Sequence, residues 1–245
     1  MIDEMAGSSS NYSMFGVKQL LAKREVVEPK PTKRALHLSP EKVLDAPEIK
    51  DDYYLNLLDW SSRGILSIGL GERVYLYSSM NISELCEKED DYICSLSFHP
   101  TGDQLSVGLS SGKVEIYDVE RETVVRTLRG HSGRVSSSAF TYGMLFTGSK
   151  DSKILGYDYR SHMGPSMRFL GHRGEICGLK HDPCGLASGS NDNSACIWDL
   201  ATGKLRYQLV GHKAAVKALD WCPWQRNLLA TGGGTSDQTM RFWNI

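Results

Sequence analysis

The sequence predicts an all-β protein made of repeated four-stranded units set around an axis as a propeller. Three observations carry that expectation. Gly-His dipeptides recur at Gly130-His131, Gly171-His172 and Gly211-His212, at spacings of 41 and 40 residues. Between them, segments of four to seven residues rich in Val, Ile, Leu, Tyr and Trp alternate with turn residues, the pattern of short strands joined by hairpins. Nowhere does a dozen-residue stretch carry the 3.6-residue period of a long amphipathic helix.

Taken in chain order, residues 1–42 read as a flexible, mostly disordered extension. A polar opening (Gly7-Ser8-Ser9-Ser10-Asn11) leads into a stretch from Lys18 to Arg34 with six Lys or Arg against two Glu, and Pro29 and Pro31 inside it. Prolines among charges resist both helix and ladder pairing. The apolar cluster Met14-Phe15-Gly16-Val17 with Leu20-Leu21 is either a stray patch or a peptide that folds onto a partner. Repeats occupy residues 43–245, with expected blades near 46–84, 85–126, 127–167, 168–208 and 209–245. The first two units lack Gly-His but keep the rhythm, through Tyr54-Leu55-Asn56-Leu57-Leu58-Asp59-Trp60 and Ile93-Cys94-Ser95-Leu96-Ser97-Phe98. In the last three, Val135, Ile176 and Val216 open a strand four residues after the His. Gly64, Gly102, Gly112 and Gly203 sit where hairpins must reverse.

Twenty residues after His131 and His172 stand Asp151 and Asp192, and after His212 an insertion of five residues displaces the equivalent to Asp237. Six residues beyond each Asp comes an aromatic: Tyr157, Trp198 and Trp243. With Trp198-Asp199, this period is the signature of WD-repeat blades. It predicts buried hydrogen-bonded sets, His172-Asp192-Ser188-Trp198 and His212-Asp237-Thr231-Trp243, and a weaker His131-Asp151 set in which Tyr157 replaces Trp. That assignment removes these His and Asp residues from catalysis, so an enzyme is not expected. Cys177, His181 and Cys184 lie close in sequence, but no fourth ligand is evident and no metal is expected. Gly69-Leu70-Gly71 and Gly232-Gly233-Gly234 precede no helix with Lys and Ser/Thr. They read as a hairpin turn and a bulged strand end rather than a phosphate cradle, and no cofactor is expected.

Composition agrees. The chain has 245 residues, 28 basic and 29 acidic, for a formal charge of -1, which argues against broad electrostatic binding to nucleic acid or an anionic membrane. No apolar run approaches the roughly 18 residues of a spanning helix. Six cysteines without a CxxC pair suit a reducing compartment, so nucleus and cytoplasm are the expected location.

Some segments are poorly explained as blade architecture: Leu44-Asp45-Ala46-Pro47-Glu48-Ile49, Asp51-Asp52-Tyr53-Tyr54, Asn191-Asp192-Asn193 and Thr235-Ser236. They are either solvated turns or parts of one site, because loops on one propeller face converge near its axis. The stretch VLDAPEIKDDYYLNLLDWSS (43–62), ASGSNDN (187–193) and AVKALDWCPWQRNLLATGGGTSDQTMRFWN (215–244) resemble the Fizzy and Fizzy-related family, the WD-repeat activators of the anaphase-promoting complex. The resemblance runs from about Ser39 to the last residue.

That resemblance implies a receptor for short degron peptides, with the ligase subunits, degron-bearing substrates such as cyclins and securin, and checkpoint proteins as partners. By position, a Lys-Glu-Asn degron would meet Asp52, Tyr53, Asn191, Asn193 and Thr235, and a destruction box would meet Asp45. Ser39-Pro40-Glu41-Lys42 fits a proline-directed kinase site, where phosphate adds about -1.5 to -2 charge. The family's C-box and Ile-Arg tail are not matched. The 200 residues from 46 to 245 make five blades at about 40 residues each, where the family has seven. The expectation is an open or strained arc with two apolar sheet faces left over, stable only weakly or with a partner. The alternative function is a scaffold or decoy that keeps peptide binding without activating the ligase. The residues do not separate Fizzy from Fizzy-related.

Overall fold

Hairpin follows hairpin along the described part of the chain, and each set of antiparallel strands forms its own sheet. The computed structural model describes residues 39–40, 42–79, 81–161, 163–183 and 185–245. The basic stretch, the apolar cluster at 14–21 and Cys184 lie outside the described residues. The first sheet contains β1 (Leu58–Trp60), β2 (Leu66–Leu70), β3 (Arg73–Tyr77) and β4 (Ile82–Glu87). The second contains β5 (Ile93–Phe98), β6 (Gln104–Leu109), β7 (Val114–Asp118) and β8 (Thr123–Leu128). The third contains β9 (Val135–Phe140), β10 (Leu145–Ser149), β11 (Lys153–Tyr157) and β12 (Met167–Leu170). The fourth contains β13 (Ile176–Asp182), β14 (Gly185–Ser190), β15 (Ser194–Trp198) and β16 (Leu205–Val210). The fifth has three strands, β17 (Val216–Trp221), β18 (Leu228–Gly233) and β19 (Met240–Asn244). These are the five expected blades, ending two or three residues later than the expected boundaries at 84, 126, 167 and 208.

Innermost strands of all five sheets line a central channel of about 550 Å³, with Leu58, Ser97, Ser138, Leu179 and Leu219 each facing it from a different sheet. Burial falls from the axis outward. Every residue of β14 and β15 is buried, whereas most of β16 is exposed, as suits an edge strand. Exposed apolar side chains are spread over the sheets: Ile82, Val125, Leu170 and Val210 on fourth strands, and Met240 and Phe242 on β19.

Two backbone features set how the sheets meet. At the second strand of each of the first four blades a glycine faces the next inner strand: a Cβ at Gly108 would stand 2.6 Å from the Val135 carbonyl, and one at Gly148 would stand 2.5 Å from Ile176 Cγ2. Gly189 is equally crowded by the Val216 carbonyl. The inner strands themselves are bulged. Register shifts fall around Cys94, Cys177 and Lys217, and around Ser136 opposite the Gly148-Ser149 step. The bulge expected at Gly232-Gly233-Gly234 is therefore on the neighbouring strand, at Lys217.

Within blades the predicted polar sets form. His172 Nδ1 lies 2.9 Å from Asp192 Oδ2 and its Nε2 lies 2.8 Å from Ser188 Oγ, which also accepts the Trp198 indole N–H at 2.8 Å. Because indole only donates, the Ser188 hydroxyl is free to donate to Nε2, so the imidazole proton sits on Nδ1 and is donated to Asp192. The fifth blade repeats this: His212 to Asp237 at 2.5 Å, His212 to Thr231 at 2.7 Å, and Trp243 to Thr231 at 2.9 Å. In the third blade His131 holds Asp151 at 3.1 Å and Thr147 at 2.9 Å. Tyr157, however, donates instead to the Arg129 carbonyl at 3.4 Å, so this set lacks the aromatic link.

The carboxylates respond to these partners. Burial opposes ionisation of Asp151, but the His131 ring and the Ser132 N–H outweigh it and hold the group at about 2. His212 and the Thr239 hydroxyl hold Asp237 at about 2, and Asp192 is lowered in the same way.

Two outcomes follow from this packing. Gly189→Ala should cost about 2–3 kcal/mol in urea unfolding, because backbone rather than a movable side chain fills the space. Gly164→Ala, where nothing stands within 4 Å, should change stability by less than about 0.5 kcal/mol. Asp151 and Asp237 titrate at about 2 folded against 3.8 as the ordinary value. Their stabilising contribution is therefore complete above about pH 4 and disappears as pH falls toward about 2. Far-UV circular dichroism in an acid titration should show the strand signal lost across that window.

Candidate peptide-binding face

At one end of the axis, the segment that leads into β1 crosses toward the fourth and fifth sheets. Asn56 anchors it. Its backbone pairs in parallel with Ser95, taking the Cys94 carbonyl at 2.9 Å, and its Nδ2 donates to Ser136 O at 2.6 Å and Cys177 O at 2.9 Å. All three acceptors are carbonyls of bulged residues, which the ladder leaves free. Lys217, the bulged residue of β17, sends Nζ to the Leu55 carbonyl at 2.7 Å. The Tyr53 hydroxyl donates to Ala215 O at 3.2 Å, and that of Tyr54 donates to Asn191 Oδ1 at 2.8 Å.

A pocket of about 410 Å³ opens between this segment and the turns of the fourth and fifth sheets, lined by Tyr53, Tyr54, Asn191, Asn193, Lys213 and Thr235 among others. Four predicted residues, Tyr53, Asn191, Asn193 and Thr235, thus meet in one place although up to 182 positions separate them in the chain. Asn193 has φ of +67°, in the left-handed region that Asn tolerates better than most residues, and its N–H closes the turn on Ser190 O. Asp192, between the two Asn residues, is turned inward to His172. Asn191 accepts the Tyr54 hydroxyl on its carbonyl oxygen, so the NH2 group is what it keeps for other partners.

Asp52 differs from expectation. It does not line the pocket and its carboxylate is already engaged: Oδ1 accepts the Tyr54 N–H at 3.0 Å, and Oδ2 accepts Arg134 Nη1 at 2.6 Å. Burial pushes the Asp52 acid up, but the Tyr54 N–H and Arg134 bring it below its ordinary value. Arg134 is in turn bidentate to Glu175, at 2.7 and 3.0 Å. Asp45 is exposed and is not among the lining residues. Ser39 is exposed in the separate N-terminal unit. Cys177 is buried, with its Sγ on the Val216 carbonyl at 3.2 Å. Burial raises its thiol to about 12, an environment unlike a metal ligand's.

Arg134 and Glu175 are neighbours of this face that the motif reading does not single out, whereas Tyr54 lies in a segment that it does. Repeat alignment contains the signal. Arg134 and Glu175 each fall three residues after a Gly-His histidine, so equivalent positions of adjacent blades carry opposite charges.

With the geometry in place, comparison decides the lineage. The CDC20/Fizzy WD40 domain pattern matches residues 44–245. The chain belongs to that family. It is 46% identical over 221 residues to the anaphase-promoting complex subunit cdc20 of Dictyostelium discoideum, covering 86% of this chain and 44% of that protein. It is 45% identical over 219 residues to the WD repeat-containing protein slp1 of Schizosaccharomyces pombe, covering 87% and 45%. Among solved structures, a chain of the mitotic checkpoint complex superposes with a TM-score of 0.84 at 44% identity, covering 89% of this chain and 68% of that one. The chain therefore spans a little under half the length of these two curated CDC20/Fizzy relatives.

Asn56 offers a direct check of how the CDC20/Fizzy lead-in segment is held. Asn56→Ala leaves two carbonyls without a donor and should cost about 1–3 kcal/mol in urea unfolding. Asn56→Asp, which sets a carboxylate against them, should cost more than Asn56→Ala.

Proposed function

We propose that this chain is the substrate-recognition part of an activator of the anaphase-promoting complex, binding degron peptides of the Lys-Glu-Asn type in cell-cycle control. One observation carries the reading. Tyr53, Asn191, Asn193 and Thr235, drawn from three separate segments, converge on one polar pocket of peptide-side-chain size. The pocket offers amide donors, a hydroxyl and aromatic rings, which suit the polar tip of such a motif. Its role is binding rather than catalysis, because His131, His172 and His212 are committed to the blade interiors. Relatives named for the anaphase-promoting complex and a structural neighbour from the mitotic checkpoint complex support ligase subunits and checkpoint proteins as partners. Cyclin- and securin-type substrates, a destruction-box contact at Asp45, phosphorylation at Ser39 and action in nucleus and cytoplasm belong to the same proposal.

Fluorescence polarisation with a labelled Lys-Glu-Asn peptide tests it. The double variant Asn191→Ala/Asn193→Ala should bind at least about tenfold more weakly than the wild-type chain, as loss of two hydrogen-bonding side chains implies. Equal affinity in the two proteins rejects the pocket.

A further inference from the structure

We propose that Arg134 is a positioning residue: anchored by Glu175, it fixes the Asp52 carboxylate at the pocket's edge, where Asp52 selects a peptide carrying a lysine. The inference rests on the peptide-binding reading above and goes beyond it by assigning to Arg134 and Glu175 the placement of Asp52.

The geometry of the guanidinium carries it. Glu175 is only 6% exposed in its side chain and takes Arg134 Nε and Nη2 at 2.7 and 3.0 Å. That bidentate grip fixes the plane of the fork, so the third nitrogen, Nη1, points in one direction, and Asp52 Oδ2 stands there at 2.6 Å. Asp52 in turn is pinned at Oδ1 by the Tyr54 N–H. Its side chain nevertheless stays 30% exposed, and a carboxylate has about four acceptor positions of which two are used.

Charge points the same way. Two carboxylates share one guanidinium, leaving a negative charge that a ligand ammonium can complete. The other nearby cations are placed otherwise: Lys150 is exposed and acts on Asp52 only through its field, and Lys217 Nζ is directed to the Leu55 carbonyl beneath the Tyr53 ring. Lys213 lines the pocket with Ala214 and Ala215 but is not among the groups that shift Asp52. Arg134 is not a stand-in that the ligand displaces, because its departure would strand Glu175 as an unpaired buried charge. The Asn191 side of the pocket is held by its own contact, the Tyr54 hydroxyl on Asn191 Oδ1 at 2.8 Å.

The test compares two labelled peptides on the full chain, one containing Lys-Glu-Asn and one with norleucine in place of the lysine. Wild type should prefer the lysine peptide by about tenfold, the scale of one charge-assisted hydrogen bond. Arg134→Lys keeps a cation beside Glu175 but cannot span both carboxylates, so the preference should fall to about twofold or less. Affinity for the norleucine peptide should stay unchanged, which a general loss of structure would not allow. Glu175→Gln, which loosens the anchor from the other side, should act in the same direction, and it decides the matter if Arg134→Lys binds neither peptide. A wild-type preference retained in these variants, or a stronger hold on the lysine peptide in Arg134→Lys, overturns the positioning role while leaving the pocket intact. A wild-type chain that binds neither peptide overturns the peptide-binding reading together with it.

Discussion

Neighbouring sheets approach so closely at their second strands that no Cβ fits between Gly108, Gly148 or Gly189 and the next inner strand. That clearance fixes the distance between blades, and much else depends on it. Side chains at the start of the inner strands can then reach across: Ser95 to the Val135 carbonyl at 2.8 Å, and Ser136 and Ser137 to the Ile176 carbonyl at 2.9 Å. A wider gap would break these contacts and open voids between faces that are otherwise buried on both sides. The bulges belong to the same arrangement. Each turns the carbonyl of its extra residue out of the ladder at the axis end, and Asn56 collects three of them. The pocket exists because that collection holds the lead-in segment over the fourth and fifth sheets.

The histidine sets act on a different scale. They tie the turn between second and third strands to the loop before the first strand, so the backbone that carries Asn191 and Asn193 is fixed from beneath by Asp192. Each polar atom in the fourth-blade set has a partner, which is what a buried network needs if it is to stabilise rather than cost. Asn191 and Asn193 are thus presented by a turn whose central residue is structural. Alternation of role along three consecutive residues follows from the turn's geometry, since adjacent side chains point to different sides.

The fold was legible because its signals are periodic. Spacing of Gly-His, Asp and Trp by about 40 residues survives variation at any one position, and Tyr157 in place of Trp weakens one set without hiding the period. The shared pocket of Tyr53, Asn191, Asn193 and Thr235 was also legible, because converging loops follow once the propeller is recognised. The state of Asp52 was not. An acidic residue next to aromatics reads as a free recognition group, and only coordinates show that Arg134, 82 positions away, already holds it. Bulge positions carry no sequence signal for a similar reason: Cys94, Ser136, Cys177 and Lys217 share no chemistry, only a place in the ladder. Glycine clusters are conspicuous in the sequence, yet the crowding that requires single glycines lies between blades and leaves no local pattern.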